Sequence, residues 1–134
     1  MDLLQLADNG LWNKINSLYQ TKGGVYKIIA VKDGHRVAVN RFLGTDDKGV
    51  LYIGKAASFL DRVIHLRTSI IPPYQSSSHG GGVKYKANPN IEKKFPINCL
   101  HLELVESEKP EELERKYLTE YAIIFGEVPP LNAI

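Results

Sequence analysis

The feature of the sequence that most constrains the fold is a run of β-branched and apolar residues, Val25 to Val31, that is followed by Asp33-Gly34. An Asp-Gly pair between two apolar runs is a strong hairpin signal, because both residues accept the positive φ values of tight hairpin turns. Arg36 to Val39 is predicted to be the returning strand, and a further short apolar run, Val50 to Ile53, ends at Gly54. The first half of the chain therefore predicts an antiparallel sheet.

Helical spacing governs the later part of the chain. Leu60, Val63, Ile64 and Arg67 lie three and four residues apart, which is typical of an amphipathic helix. The predicted elements are a helix from Ala56 to Ser69, a half-exposed strand from Cys99 to Val105 and a helix from Glu111 to Phe125, with Pro110 in its first turn. Strands that come early and helices that come late predict an α+β fold, a small antiparallel β-sheet flanked by helices.

The chain of 134 residues is predicted to form a single domain over residues 1–134, since this length is enough to bury a hydrophobic core. Residues 1–22 are interpreted as an amino-terminal helical extension. Residues 72–96 are rich in Ser, Gly, Asn and Pro and are predicted to be a loop-rich insertion. Long loops of this kind tend to be functional.

The cysteine content and the absence of long apolar runs limit the cellular locations expected for the protein. The single cysteine, Cys99, cannot form an internal disulfide and has no zinc-binding spacing around it, which favours a reducing, cytoplasmic location. No apolar run approaches membrane-spanning length, and the amino terminus lacks the pattern of a secretory signal. No membrane partner is therefore expected.

The distribution of charge matters more than its total, because a formal net charge of +2 does not indicate nucleic-acid binding by itself. Basic residues crowd the middle of the chain, and acidic residues crowd the carboxyl-terminal part. The basic set is Lys55, Arg62, Arg67, Lys84, Lys86, Lys93 and Lys94, and the acidic set is Glu103, Glu106, Glu108, Glu111, Glu112 and Glu114. This asymmetry would let one face meet phosphate groups, although such runs are also typical of ordinary solvated surface.

Glu120 is an anomaly in the last predicted helix. Leu113, Tyr117, Tyr121 and Ile124 form an apolar stripe, and Glu120 lies three residues after Tyr117 along it, which predicts an inward-facing carboxylate. A buried unpaired charge costs several kcal/mol, so such a group is normally paired, protonated or bound to a cation. Two interpretations stay open: a metal ligand, or a salt bridge to Arg62 or a lysine.

Two tyrosines stand in matching places, each on a short predicted strand among β-branched neighbours. They are Tyr26, in Gly24-Val25-Tyr26, and Tyr52, in Tyr52-Ile53-Gly54. Either tyrosine alone would be interpreted as sheet packing, because aromatic residues are favoured in strands. Their company changes this interpretation, since Lys55 follows directly, and Arg62 and His65 lie three residues apart on the next helix and project from one face.

These residues resemble the GIY-YIG nuclease family. Gly24-Val25-Tyr26 matches the first signature, and Tyr52-Ile53-Gly54-Lys55 matches the second. The family's catalytic arginine follows the second tyrosine by about ten residues, as Arg62 does here, and its metal-binding glutamate precedes a motif asparagine by about twelve, as Glu120 precedes Asn132. The resemblance covers most of the chain, from about Gly24 to Asn132.

The resemblance implies a division of labour among these residues. Glu120 would hold one Mg²⁺ or Mn²⁺ ion, and Arg62 would grip the scissile phosphate. Tyr26 and Tyr52 would form a pair beside it, one of them accepting a proton from the attacking water with help from Lys55 or the metal. Gly24, Gly54 and Asn132 belong to the motifs as structural residues. The histidine or tyrosine that many family members place four residues after the arginine would fall on Leu66, so His65 is the substitute, either as a proton relay or as an ordinary surface histidine.

The predicted insertion supplies candidates for substrate binding. His79 begins a glycine run, Gly80 to Gly82, and Lys84 and Lys86 follow closely. A glycine-rich loop can approach a nucleic-acid backbone closely, although the same pattern also fits a flexible connector. With Arg67 on the preceding helix, His79, Lys84 and Lys86 are the predicted substrate-binding residues.

The sequence therefore predicts a metal-dependent endonuclease that hydrolyses phosphodiester bonds, with DNA as the expected nucleic-acid partner. The alternative is a catalytically inactive module on the same fold that binds nucleic acid or another protein. The oligomeric state stays open, with a dimer among the alternatives.

Overall fold

The computed structural model of the chain describes residues 3–71 and 80–132, and these residues form one main antiparallel sheet and a set of helices. The strands are Leu4–Gln5 (β1), Gly24–Lys32 (β2), His35–Arg36 (β3), Val39–Arg41 (β4), Gly44–Asp46 (β5), Val50–Ala56 (β6) and Leu100–Glu106 (β7). The helices are Leu11–Tyr19 (α1), Phe59–Ile70 (α2), Gly80–Ala87 (α3), Pro89–Lys94 (α4) and Pro110–Phe125 (α5). The predicted α+β class is confirmed. Across the two described stretches, no helix is long and apolar enough to cross a bilayer.

The main sheet is centred on β2, which pairs with β7 on one side and with β6 on the other. β1 extends the sheet beyond β7, and β3 continues the hairpin at the end of β2, as the Asp33-Gly34 turn predicted. Every pairing is antiparallel. Because helices cover both faces of the sheet at β2, its residues are almost continuously buried.

Side chains along β2 alternate between two cores, since successive residues of a strand point to opposite faces. Tyr26, Ile28 and Ala30 pack into the first core, which contains buried residues of α1, α2 and α3. Val25 and Ile29 pack into a smaller second core with Tyr121 of α5. The sheet therefore separates α1, α2 and α3 from α5.

A bulge in β6 decides which residues of that strand face which core. Ile28 lies opposite Tyr52 and Ile29 lies opposite Val50, so Leu51 is an extra residue in the ladder. In a regular strand Val50 and Tyr52 would share a face. The bulge instead sends Val50 into the second core and leaves Tyr52 against the first, on the same face as Tyr26.

The outer side of β6 is held by the carboxyl-terminal residues. Asn132 acts like a strand partner: its side-chain oxygen accepts from the backbone N–H of Ile53 at 2.9 Å, and its amide nitrogen donates to the Ile53 carbonyl at 2.8 Å. The Leu131 N–H donates to the Leu51 carbonyl at 2.8 Å. These bonds satisfy backbone groups that would otherwise form an open sheet edge.

Two predictions about the flanking segments need correction. The amino-terminal extension is not helical throughout, because Leu4 pairs with Leu102 and Gln5 with His101 in the sheet, and the helix begins only at Leu11, after Asn9-Gly10. The returning strand predicted at Arg36 to Val39 is also wrong beyond Arg36. Val39–Arg41 instead pairs with Gly44–Asp46 as a small separate hairpin, which the sequence analysis missed.

The described part of the predicted loop-rich insertion, residues 80–96, is largely helical. Residues 72–79, with His79, lie outside the described part of the chain, but α3 and α4 follow directly. The three glycines of α3 disfavour a helix in isolation. Gly82 is explained by packing: a Cβ there would lie 1.9 Å from the Ser69 hydroxyl oxygen of α2, so only glycine permits this close approach. Asn88 caps α4 by accepting from the Asn90 N–H at 3.0 Å, with Pro89 in the first turn.

Candidate active site

The two motif tyrosines meet above Gly54. Tyr26 lies opposite Gly54 across the β2–β6 ladder, and the rings of Tyr26 and Tyr52 are 5.9 Å apart at an angle of 42°. A Cβ at position 54 would lie 2.7 Å from the Tyr26 hydroxyl oxygen and 2.6 Å from a ring carbon of Tyr52. Gly54 is therefore required for the pair. Gly24 is equally constrained, because a Cβ there would lie 2.0 Å from the Val105 carbonyl oxygen.

Tyr26 is fully buried and makes hydrogen bonds with both Tyr52 and Arg62. A guanidinium can only donate, so the Tyr26 oxygen accepts from Arg62 and its hydroxyl is left to donate to Tyr52. Burial raises the pKa of Tyr26 far above its ordinary value, and the neighbouring Tyr52 adds to this, although the positive charge of Arg62 opposes it. The Tyr26 phenol therefore stays protonated at neutral pH and positions Arg62.

Arg62 lies in the first turn of α2, and this position places its side chain next to the tyrosines. Ser58 caps this helix by accepting from the Asp61 N–H at 3.4 Å, and the Arg62 N–H donates to the Ser58 carbonyl at 3.1 Å. Val63 and Leu66 anchor the inner side of the helix in the first core. Arg62 lies beside this buried stripe and is only partly exposed, so its guanidinium can reach both Tyr26 and solvent.

Glu114, rather than the exposed Glu120, is the carboxylate of α5 that lies within electrostatic reach of Arg62. Its carboxylate accepts from the backbone N–H of Lys55, and the charges of Lys55 and Arg62 act on it. Partial burial is the main influence and raises the pKa of Glu114 above its ordinary value, whereas Lys55 and Arg62 oppose the shift. A partly buried carboxylate bonded to the Lys55 N–H and within electrostatic reach of Arg62 was not predicted from the sequence.

The prediction that Glu120 faces inward is wrong, because its side chain is exposed at the margin of the stripe, although most of that stripe does pack against the sheet. The second core takes Leu113, Tyr117, Leu118, Tyr121 and Phe125 of α5, while Ile124 is 62% exposed. Glu114 precedes Leu118, Tyr121 and Phe125 in one row at spacings of four, three and four residues, whereas Glu120 is exposed on its flank. A second row of residues that begins at Glu114, one residue after Leu113, has the same helical spacing. Examining that row in the sequence would have identified Glu114.

Lys55 contributes to the candidate site mainly through its backbone N–H and less through its side chain. Its N–H orders Glu114, while its exposed ammonium lies 3.9 Å from the carboxylate of Glu111, which also lies 4.0 Å from Arg115. Exposed pairs at such distances contribute little to stability. The Lys55 ammonium is therefore free to exchange Glu111 for a ligand.

The acidic residues at this edge fit one kind of metal ion better than others. Across residues 3–71 and 80–132 there is no group of three or more His, Cys, Asp or Glu side chains placed to hold a metal. A caged zinc or calcium site is therefore not formed by those residues alone. Glu114, with Glu111 one turn before it, does fit Mg²⁺ or Mn²⁺, because such ions commonly bind one or two carboxylates and keep several waters.

The remaining predicted site residues are dispersed. His65 is exposed on α2, one turn after Arg62. Arg67, predicted to bind substrate, instead donates to the Asp8 carbonyl at 2.9 Å and stacks on Trp12 at 5.3 Å, which ties α2 to the segment before α1. Lys86 pairs with Glu92 at 3.0 Å.

Lys84 is the most unusual member of the predicted substrate-binding set. Its ammonium nitrogen is shielded from solvent and has no hydrogen-bond partner in the part of the chain that the structure describes. Tyr85 beside it is a core residue whose hydroxyl donates to the Phe95 carbonyl at 2.6 Å. A shielded ammonium without a partner favours an anion nearby.

Comparisons of this chain with protein-family models, with curated protein sequences and with solved structures find no match. The grouping of Tyr26, Tyr52, Arg62 and Glu114 at the β6 edge is therefore the basis for the functional proposal.

Proposed function

We propose that the protein is a divalent-metal-dependent endonuclease of the GIY-YIG type, which acts in the cytoplasm and hydrolyses phosphodiester bonds of nucleic acid, most simply DNA. The observation that supports the proposal is that Arg62 is hydrogen-bonded to the buried Tyr26, whose ring lies beside that of Tyr52. The partly buried carboxylate of Glu114 lies within electrostatic reach of the same arginine. Phosphodiester hydrolysis needs these components: a fixed positive charge for the phosphate, a polar group near the attacking water and a ligand for a metal ion.

Arg62 is proposed to stabilise the negative charge that develops on the phosphate. Its planar fork matches two phosphate oxygens, which a lysine ammonium cannot do as well. The hydrogen bond to the buried Tyr26 holds the fork in place before substrate arrives. Such preorganised donors are effective because they need not reorient as charge develops.

The two tyrosines are proposed to have different roles. Tyr26 is 0% exposed and its phenol stays protonated, so it positions Arg62 and donates to the Tyr52 oxygen. Tyr52 is partly exposed and is the phenol that a nucleophilic water can reach. The donated hydrogen bond from Tyr26 would stabilise negative charge on the Tyr52 oxygen, so Tyr52 is assigned the role of general base.

Glu114 is proposed to hold one Mg²⁺ or Mn²⁺ ion, in place of the exposed Glu120. When bound, the ion would supply Lewis-acid stabilisation of the departing oxygen. The Lys55 N–H leaves other lone pairs of the carboxylate available, since an ionised carboxylate accepts about four hydrogen bonds or ligands. Lys55 itself would contact a phosphate flanking the scissile one.

The test compares Glu114→Gln with Glu120→Gln on supercoiled plasmid and on single-stranded DNA and RNA, with and without Mg²⁺ or Mn²⁺. We expect the wild-type protein and Glu120→Gln to nick the substrate, and Glu114→Gln to lose at least about 100-fold in rate, as typically follows removal of a transition-state contact. Both substitutions keep the shape of the side chain, so equal thermal melting serves as the folding control.

The outcomes separate the assignment from the proposal as a whole. Loss of nicking in Glu120→Gln but not in Glu114→Gln would overturn the choice of Glu114. A wild-type protein that binds nucleic acid and never cuts it would instead support the alternative, a binding module without catalysis.

A further inference from the structure

An exposed apolar tip and an open groove lie side by side on the α5 face, away from the candidate active site. The tip is the turn between β4 and β5, where Phe42 is 80% exposed and Leu43 is 61% exposed. Ile123 and Ile124 of α5 are 72% and 62% exposed. Four large apolar residues exposed at the same end of α5 are unusual on a monomer surface and indicate a contact site.

The tip is held rigidly although its side chains are exposed. The Phe42 N–H donates to the Glu127 carboxylate at 2.7 Å, and the Leu43 N–H donates to the Phe125 carbonyl at 2.9 Å. Arg41 donates to the Val128 carbonyl at 2.7 Å and lies 3.1 Å from Glu127. The backbone N–H groups of Phe42 and Leu43 are thus satisfied within the chain, although the Nε of Arg41 is buried without a hydrogen-bond partner among the described residues. Two preorganised apolar side chains are left available for a partner.

The groove begins where the same hairpin meets α5. It has a volume of about 460 Å³, and β5 forms one wall while α5 forms the other. Its apolar and aromatic lining comes from Val50, Ile53, Tyr117, Tyr121, Ile124 and Phe125. A cavity of this size and lining is suited to a large aromatic side chain such as Phe42.

The charges around the groove are of both signs. On the sheet and hairpin side lie Lys27, Asp46, Asp47 and Lys48, and on the α5 side lies Glu120. Under a two-fold rotation, Lys48 of one copy can meet Glu120 of the other, so the rim is complementary to itself. The three carboxylates Asp46, Asp47 and Glu120 outnumber Lys27 and Lys48 in this lining, which disfavours a nucleic-acid backbone here.

We propose that this face is the interface of a homodimer, in which Phe42 of each copy enters the groove of the other. A knob and a hole on one face satisfy the requirement of a two-fold interface, where a patch contacts its own copy reciprocally. The proposal does not depend on the nuclease function, since it concerns a different face and its test measures mass.

The experiment is sedimentation equilibrium of the full chain over a range of concentrations. We expect wild-type protein to approach twice the chain mass of 15.0 kDa. Phe42→Ser should weaken the dissociation constant by about tenfold or more, the range expected for truncating a central interface anchor. Leu18→Ser is the matched control, because Leu18 is 63% exposed on α1 and should leave the mass unchanged.

Charge reversal tests the pairing directly. Lys48→Glu and Glu120→Lys should each weaken the dimer, and the double variant should recover most of the wild-type affinity. Ile124→Ser provides a second groove variant if Phe42→Ser lowers the melting temperature. A wild-type chain that stays at 15.0 kDa, or groove and tip variants that dimerise as the wild type does, would overturn the proposal. Loss of nucleic-acid binding in Phe42→Ser with an unchanged dimer would assign the tip to nucleic acid instead.

Discussion

The two faces of the sheet differ in the size of their hydrophobic cores and in how much apolar surface they leave exposed. The first face packs Tyr26, Ile28 and Ala30 against α1, α2 and α3 in a large core, and its only polar intrusion from β2 is the hydroxyl that reaches Arg62. The second face has a small core around Tyr121 and leaves a groove and an exposed apolar tip. The candidate active site lies at the β6 edge, where α2 from one face and Glu114 from the other come together.

This difference indicates that the first face fixes the position of side chains, whereas the second face leaves side chains accessible to solvent and partners. Full burial on the first face fixes the Tyr26 hydroxyl and hence Arg62, which favours precise placement of a phosphate. The second face is more open, so α5 can present one residue, Glu114, to the site and a different surface to a partner. The predictions below test whether the two faces are separable in this way.

The largest effect is expected for Arg62→Lys, which keeps the charge and removes the planar fork. Cleavage should fall by about 100-fold to 1000-fold, the usual cost of losing a preorganised donor to the developing charge. Dimer affinity should not change, because Arg62 lies away from the α5 groove. Nicking assays and sedimentation on the same preparation check both expectations, and a variant that cuts normally would remove Arg62 from the proposed mechanism.

The next effect concerns the space above Gly54. Gly54→Ala should lower the free energy of unfolding by about 1–3 kcal/mol, because the added methyl group overlaps both tyrosine rings and forces them apart. Gly10→Ala is the control, since a Cβ there meets only Asp8 at an ordinary 3.6 Å. Urea unfolding measures the difference. Equal stability of the two variants would mean that the tyrosine pair is not tightly packed over Gly54.

Removal of the Asn132 side chain should have a somewhat smaller effect. Asn132→Ala loses both hydrogen bonds to Ile53, which should cost about 1–2 kcal/mol in the free energy of unfolding. It should also loosen β6 at the residue between Tyr52 and Gly54, so the cleavage rate should fall as well. Hydrogen exchange of the Ile53 N–H reports the loosening, and unchanged protection there would contradict it.

The smallest effect is on the free energy of unfolding above pH 10. It is tested with one buried tyrosine from each face of the sheet. Burial raises the pKa of both Tyr85 and Tyr121 above the ordinary 10.0. Above pH 10 the unfolded chain loses these protons while the folded chain keeps them, so stability that is present below pH 10 falls as the pH rises. Each buried phenol should steepen this decline by about 1.4 kcal/mol per pH unit. Tyr85→Phe and Tyr121→Phe should each reduce the slope by one proton, measured by urea unfolding between pH 8 and 11.

The sequence was sufficient for the elements whose signal is local. The β2 strand, its Asp33-Gly34 turn, α2 and α5 all follow from periodicity and turn residues, and together they define the α+β class. The α3 helix was missed because its reason lies elsewhere, in the Ser69 contact that only Gly82 allows. Helix propensity is a local quantity, and the three glycines make it unfavourable. The contact with Ser69 is tertiary, so it cannot be deduced from propensity.

The candidate site was predicted in part. Tyr26, Tyr52 and Arg62 are brought together as their motifs indicated, whereas Glu120 is exposed and Glu114 is the partly buried carboxylate within electrostatic reach of Arg62. Leu113, Tyr117 and Tyr121 of the assumed stripe do pack into the second core. The buried side of α5 also includes Leu118 and Phe125, and this shift in phase leaves Glu114 partly buried and Glu120 exposed. Only packing against the second core resolves that phase, because a broad apolar stripe is compatible with more than one rotation.

The bulge at Leu51 has a consequence for insertions and deletions in chains of this kind. Deleting Leu51 would restore a regular ladder and leave Tyr52 beside Tyr26, at the cost of one buried leucine. Deleting Ile53 would shift parity instead and turn the phenol towards α5. The chain length between the two tyrosine motifs is therefore free to vary at the bulge and in the turns, but the step from Tyr52 to Gly54 is not.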